Sequence, residues 1–118
     1  MTCTTSIKQN YEFRRVYQSG KSAATGLIAV YYRKNRRGES RLGITVSTKV
    51  GKAVVRNKVR RRLREIYRHR EGNIRAGQDI VIVARVKSRY AAYAELERDV
   101  CRSLDKLGLW NTAEVNRP

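Results

Sequence analysis

No other part of the chain restricts its fold as much as Lys49 to Arg70, KVGKAVVRNKVRRRLREIYRHR, where basic residues are too dense for an ordinary core helix. At about 100° per residue, Val55, Val59, Leu63, Ile66 and Tyr67 fall on one side of a helix, the spacing of a face packed inward. That face needs a sheet to cover it. On the same wheel Asn57, Arg60, Arg61, Arg64 and Arg68 form a neighbouring stripe, Arg56 sits at its boundary with the core, and Lys58 and Arg62 lie on the far side. Like charges this close weaken an isolated helix, and Glu65 is the only acidic residue among them. A polyanion in the working state offsets such a cost, so phosphate binding is the first functional implication. A merely solvated face is the ordinary reading of a charge run, and here the one-sided sign and amphipathic register favour phosphate binding over it.

The whole chain points the same way. Its 118 residues carry 27 Lys and Arg against 10 Asp and Glu, a net charge of +17. That length suits one domain, 1–118, with a modest core. A hydrophobic content of 41% argues against disorder. The charge argues for an acidic partner, nucleic acid before a membrane surface. Leu27 to Tyr32 and Ile80 to Ala84 are the longest apolar runs and have the length of strands, too short to span a bilayer. The start of the chain, MTCTTSIKQN, has no apolar stretch of signal-peptide type, so a cytoplasmic location is expected. Cys3 and Cys101 lack ligand or redox spacing and are expected to be bystander thiols.

In chain order, Asn10 to Gln18 reads as a short helix, capped by Asn10 and stopped by Ser19-Gly20, with Phe13, Val16 and Tyr17 on one face. Leu27 to Arg33 reads as a strand in which Ile28, Val30 and Tyr32 alternate with the wetter Ala29, Tyr31 and Arg33. Asn35-Arg36-Arg37-Gly38 supplies turn chemistry. Arg41 to Ser47 follows as a strand with Leu42, Ile44 and Val46 on one face and Gly43, Thr45 and Ser47 on the other, small enough to let a ligand approach the backbone. Glu71-Gly72-Asn73 ends the basic helix. Asp79 to Ala84 is a nearly continuous apolar strand, expected at the centre of the sheet. A last helix, Ala92 to Leu107, turns Leu96, Val100, Leu104 and Leu107 inward, Leu109 and Trp110 pack beyond its end, and 111–118 reads as a loose tail. The order is helix, three strands or two plus an extended piece, basic helix, strand, helix: an α+β two-layer sandwich, about three helices on a small mixed sheet, αβββαβα.

Three segments of this pattern, YEFRRVYQSG, RLGITVSTKVGKAVVRNKVRRRLREIYR and AGQDIVIVAR, resemble the protein subunit of bacterial ribonuclease P. The triplet Arg56-Asn57-Lys58, followed by Arg60, Arg61 and Arg64 after a Gly-Lys-Ala-Val lead-in, is similar to the signature of that family. The resemblance implies a ribonucleoprotein endonuclease that removes the 5′ leader of precursor tRNA. In it a large RNA performs the Mg2+-dependent hydrolysis and the protein supplies no catalytic residue and holds no metal. It further implies that the signature helix, with Lys49 and Lys52 ahead of it and Arg68 near its end, docks on the ribonuclease P RNA. A cleft between sheet and first helix then holds the single-stranded leader, with Phe13, Tyr17 and Tyr31 at the positions of the cleft aromatics. A left-handed crossover around the basic helix is also implied, against the general right-handed preference.

These residue types suit the roles. Arg forks bridge phosphate oxygens, and aromatic rings stack on bases without demanding a particular one. Asn57 can read a base edge or a 2′-hydroxyl, or hold a neighbouring loop through its backbone. Lys58 stands where the family often has Arg and can neutralise a phosphate but not grip it in a fork. Tyr17 stands where Phe is common and adds a hydroxyl. Phe13 reads equally as a core aromatic or a ligand contact, whereas Tyr31 reads as a contact, since Ala29 and Arg33 share its face. His69, the only histidine, lies between Arg68 and Arg70 and reads as a surface residue, and no paired carboxylates or metal-ligand spacing accompany it. The reading from another class is a structural RNA-binding protein of ribosomal type, without substrate contact.

Overall fold

The computed structural model describes residues 4–110; Cys3 and the expected tail at 111–118 lie outside the described residues. A five-stranded mixed sheet in the order β1-β4-β5-β3-β2 organises the molecule. It is built from β1 (Thr4–Ser6), β2 (Lys21–Ala24), β3 (Ile28–Lys34), β4 (Ser40–Val46) and β5 (Gln78–Ala84). Three helices complete it: α1 (Asn10–Ser19), α2 (Ala53–Arg70) and α3 (Tyr93–Lys106). The expected α+β order is therefore present, with β2 as the third strand and a short β1 added in front.

β5 is central, as its apolar run predicts. It pairs antiparallel with β3 from Ile28↔Ala84 to Lys34↔Gln78, and parallel with β4 from Arg41↔Asp79 to Val46↔Ala84. Because β4 and β5 are parallel neighbours, α2 is the crossover between them, the βαβ unit that the resemblance implies. β3 and β4 are not paired, so the loop joining them arches over the start of β5.

Alternation along β5 divides the core. Ile80, Ile82 and Ala84 join Val59, Leu63, Ile66 and Tyr67 of α2 and Leu96, Val100 and Leu104 of α3 in the main apolar cluster. Val81, on the opposite face, joins Val16 of α1 and Ile7, with Phe13, Tyr31 and Val83 packed around them. The two-layer sandwich thus consists of the sheet against α2 and α3, and α1 covers the reverse face. Burial of a Leu or Ile side chain is worth about 1.5–3 kcal/mol, so the α2 stripe is what ties the basic helix to the sheet. Val55, on the same stripe, is only half-buried.

Several local expectations are corrected. Residues 49–52 are not helical in the α sense: a 3-10 turn, Thr48–Val50, buries Val50 completely, and Ser47 Oγ accepts from Lys49 N–H at 3.2 Å. The cap of α1 is Gln9, not Asn10, because the Glu12 carboxylate reaches back to Gln9 N–H at 3.2 Å. Gly20 does end α1, but through a close approach: a Cβ there would stand 2.1 Å from the Tyr32 carbonyl oxygen of β3. Arg62 does not point freely from the far side of α2; it is half-buried and donates to Ala91 O at 3.1 Å, tying α2 to the start of α3. Leu109 is buried and Trp110 bridges to Ile74, so the chain does pack beyond α3.

Candidate nucleic-acid interface

Two surfaces bring the sequence-selected residues together. The first is the ridge of α2. Docking Val59, Leu63, Ile66 and Tyr67 on the sheet forces the residues between them outward. Asn57, Lys58, Arg61, Arg64 and Arg68 are exposed, and Arg56 and Arg60 are half-buried. Arg56 Nε donates to Gly51 O at 3.2 Å, which fixes the boundary position and closes the helix entry. Asn57 takes a role that neither sequence alternative named: its Oδ1 accepts from Arg60 at 2.9 Å and steers that guanidinium along the ridge. Lys58, Arg61 and Arg64 have no hydrogen bond or ion pair among the described residues. Arg68 is different, since both Glu65 oxygens accept from it, at 2.6 and 3.3 Å. The Arg68 bond, and then that of His69, hold the Glu65 carboxyl below its usual range. His69 Nε2 lies 2.9 Å from the same carboxylate. Lys49 and Lys52 are exposed where the chain enters α2.

The second surface is an open groove of about 460 Å³ between α1 and β4, lined by Asn10, Phe13, Arg14, Tyr17 and Thr45. Tyr17 meets Tyr31 edge-on, with centroids 5.0 Å apart at 77°, and its hydroxyl shares a 3.2 Å hydrogen bond with Thr45 Oγ1. The added hydroxyl therefore pins the ring to β4 and leaves it 37% exposed. Phe13 fills the space beside Gly43, where a Cβ would fall 2.5 Å from its ring. The small face of β4 thus seats a side chain at Gly43, and the ligand approach expected there is taken by Phe13. Phe13 and Gly43 also line a gap of about 110 Å³ that Arg64 reaches, so Phe13 is common to the groove and to the gap beside the ridge. All three aromatics lie on the α1 face.

Sequence reasoning missed the group that fixes α1 on the sheet. Arg41, on the α1 face of β4, forms an ion pair with Glu12 of α1 and donates to both Asp79 oxygens, at 3.0 and 2.7 Å. Asn35 adds a 2.7 Å bond to Asp79. The Asp79 bonds, and then that of Glu12, raise the Arg41 pKa further. The Arg41 bond holds Glu12 below the usual carboxylate range. Burial alone would push Asp79 up, but the Arg41 and Asn35 bonds outweigh it and hold Asp79 below that range too. The partners are 29 and 38 residues apart in sequence, so no local pattern announces them.

No helix among the described residues is long and apolar enough to cross a membrane. A family model described as Ribonuclease P matches residues 1–108. The ribonuclease P protein component of Clostridium novyi (strain NT) is 46% identical over 107 residues, covering 89% of this chain and 95% of that protein. That of Clostridioides difficile (strain 630) is 43% identical over 98 residues, 82% and 86% of the two chains. Among solved structures, the Staphylococcus aureus RNase P protein superimposes with a TM-score of 0.83 at 33% identity, over 90% of this chain and 97% of that one. The Thermotoga maritima protein does so with 0.75 at 34%, over 86% and 94%. A single family accounts for the sequence signature, the sheet order and the cover of each face: the chain belongs to the ribonuclease P protein family.

Proposed function

We propose that this chain is the protein subunit of a ribonuclease P holoenzyme that removes the 5′ leader from precursor tRNA in the cytoplasm. It docks on the catalytic RNA through the α2 ridge, with Arg56, Asn57, Lys58, Arg60, Arg61, Arg64 and Arg68 and the preceding Lys49 and Lys52, and holds the single-stranded leader in the groove lined by Phe13 and Tyr17, with Tyr31 edge-on to Tyr17 beside it. The RNA supplies the Mg2+-dependent hydrolysis, and no protein side chain takes part in bond cleavage.

The observation that carries this reading is the adjacency of the two surfaces, cationic ridge and aromatic groove, joined at the gap between Arg64 and Phe13. Unpaired guanidinium groups on a rigid helix suit the folded phosphate backbone of a large RNA, to which they contribute counterion release. Stacking aromatic faces suit a single strand whose sequence varies, as leaders of different precursors do. A structural RNA-binding protein needs the first surface but not the second.

The test is 5′ processing of precursor tRNA by the catalytic RNA at moderate Mg2+, with and without the chain. Faster cleavage, and tighter binding of precursor than of mature tRNA, are expected with it. Tight RNA binding with no effect on cleavage would leave only the structural role.

A further inference from the structure

Besides α2, the densest group of cations lies at the opposite end of β4, where the β3–β4 loop arches over β5. A cavity of about 350 Å³ opens there, walled by Arg15, Arg33, Lys34, Arg36 and Arg37, with Arg41 and Asp79 at its floor. The nearby acids feel Arg37 through space, but they give Arg33, Lys34, Arg36 and Arg37 no hydrogen bond. Glu12 and Asp79 are both committed to Arg41. Arg33, Lys34, Arg36 and Arg37 make no ion pair among the described residues.

The loop is also held in shape without help from its charged side chains. Asn35 Nδ2 donates to Asp79 Oδ1 and to Glu39 O at 3.1 Å, Asn35 Oδ1 accepts from Arg37 N–H at 3.0 Å, and Asn35 N–H bonds Gly77 O at 2.8 Å. Gly38 supplies the positive φ, 78°, that closes the turn. The cations are therefore presented on a fixed frame around an open space, where an anion would relieve their mutual repulsion. One small anion would leave most of them unbalanced. A row of phosphates would not. Beside the cavity Arg15 lies over the ring of Tyr11, 5.3 Å from its centroid, and Tyr11 is 53% exposed. Exposed Arg and Tyr side by side are a common surface for single-stranded nucleic acid.

We infer that the cavity beneath the β3–β4 loop is a second phosphate-binding surface, which takes the sugar–phosphate backbone of an RNA strand and is separate from both the α2 ridge and the aromatic groove. This rests on the reading that the chain works on RNA. The strand comes from the catalytic RNA or from the leader, and the experiment separates the two.

The variant is Arg36→Gln/Arg37→Gln, which removes two charges and keeps the backbone bond to Asn35. Lys34→Gln/Arg36→Gln, which leaves Arg37 in place, repeats the test should the first pair melt lower than the parent chain. Affinity is measured against salt in two arms: assembly of protein with catalytic RNA, and binding of precursor tRNA, with a long or a trimmed leader, to the assembled holoenzyme. Each lost phosphate contact lowers the salt slope by about 0.7 on a single strand and about 0.9 on a duplex, so a fourfold rise in salt weakens binding roughly 2.6- to 3.5-fold less than before. A lower slope in the assembly arm supports the surface and assigns the strand to the catalytic RNA. A lower slope only for the long-leader precursor supports it and assigns the leader. Unchanged slopes in both arms overturn the inference. Arg60→Ala is run in parallel: if it lowers the slope while the loop variants do not, only the second surface fails, and if neither it nor the parent chain responds, the RNA-binding reading fails first.

Discussion

Arg41 and the arginines of α2 are the same side chain in opposite circumstances. Arg41 is about one-tenth exposed, flanked by Glu12 and Asp79, and its donors are spent on the fold. Arg61 and Arg64 stand exposed on a helix whose single acid, Glu65, is bonded to Arg68 and His69. The contrast shows how a chain of net charge +17 stays folded while keeping cations available. Acids are concentrated where Arg41 is buried and withheld along the exposed side of α2. Arg41 holds an element in place and Arg61 and Arg64 wait for a partner, and a pair of carboxylates marks the first.

The hardest test of that division is Arg41→Ala. It strands two buried carboxylates and should cost about 3–5 kcal/mol in denaturant unfolding, with α1 loosened from the sheet. Its pH dependence gives the sign. Both carboxyl groups are held below their ordinary values near 4. Their contribution is therefore present above that pH and is lost as pH falls through the lowered folded values. The parent chain should lose stability on acidification below about pH 4, whereas Arg41→Ala, whose stranded carboxylates are relieved by protonation, should gain as pH falls towards about 4 and show no such loss below it. A parallel acid limb in both proteins would show that Arg41 is not what holds those groups.

Next in size is the response of the ridge to a soluble anion. Pyrophosphate that occupies the arginines of the native state stabilises by mass action, about 2.7 kcal/mol at a hundredfold excess over its Kd, read as a rise in Tm at low concentration. Arg41→Ala should respond as much as the parent chain, and Arg60→Ala/Arg64→Ala should respond less. Equal responses from all three would erase the distinction between held and waiting arginines.

The groove supplies a smaller effect of a different kind. Tyr31→Ala should weaken precursor binding to the holoenzyme by about 1–3 kcal/mol if one base stacks there, with mature tRNA unaffected. Equal losses for both RNAs would make Tyr31 a packing residue under α1. Smallest should be Glu65→Gln, which releases Arg68. Assembly with the catalytic RNA should then steepen its salt slope, by up to about 0.9 for one added phosphate contact, while Arg64→Ala lowers it by a similar amount. A slope that ignores Glu65→Gln would leave Arg68 outside the interface.

How far the sequence could be read follows from the range of the interactions. The inward face of α2 and the central position of β5 are written in local periodicity, and Val59, Leu63, Ile66, Tyr67 and the run from Ile80 to Ala84 lie where that periodicity puts them. β1 and β2 span only three and four residues and carry no alternation to notice; pairing with β4 and β3 makes them strands. Gly43 reads as an opening for a ligand until Phe13, from a helix thirty positions earlier in the chain, is seen to occupy it. Arg62 looks like another solvent cation until Ala91 O appears beside it. Phe13 and Tyr17 do line one groove, as the resemblance implies, whereas Tyr31 stands edge-on to Tyr17 outside its lining. The Arg41 network was not legible, because each of its links joins a different element.

Placing α2 between β4 and β5 has a kinetic consequence. The two strands are parallel neighbours, so no hairpin can bring them together, and their registration from Arg41↔Asp79 to Val46↔Ala84 waits until the crossover has formed. That crossover is the most cationic segment of the molecule. Self-repulsion in α2 therefore burdens the slow step of chain collapse, and an RNA that neutralises the helix should speed folding as well as slow unfolding. Mixing the unfolded chain with its RNA should accelerate folding, so the strand that the protein serves would act as a template on which its own sheet is completed.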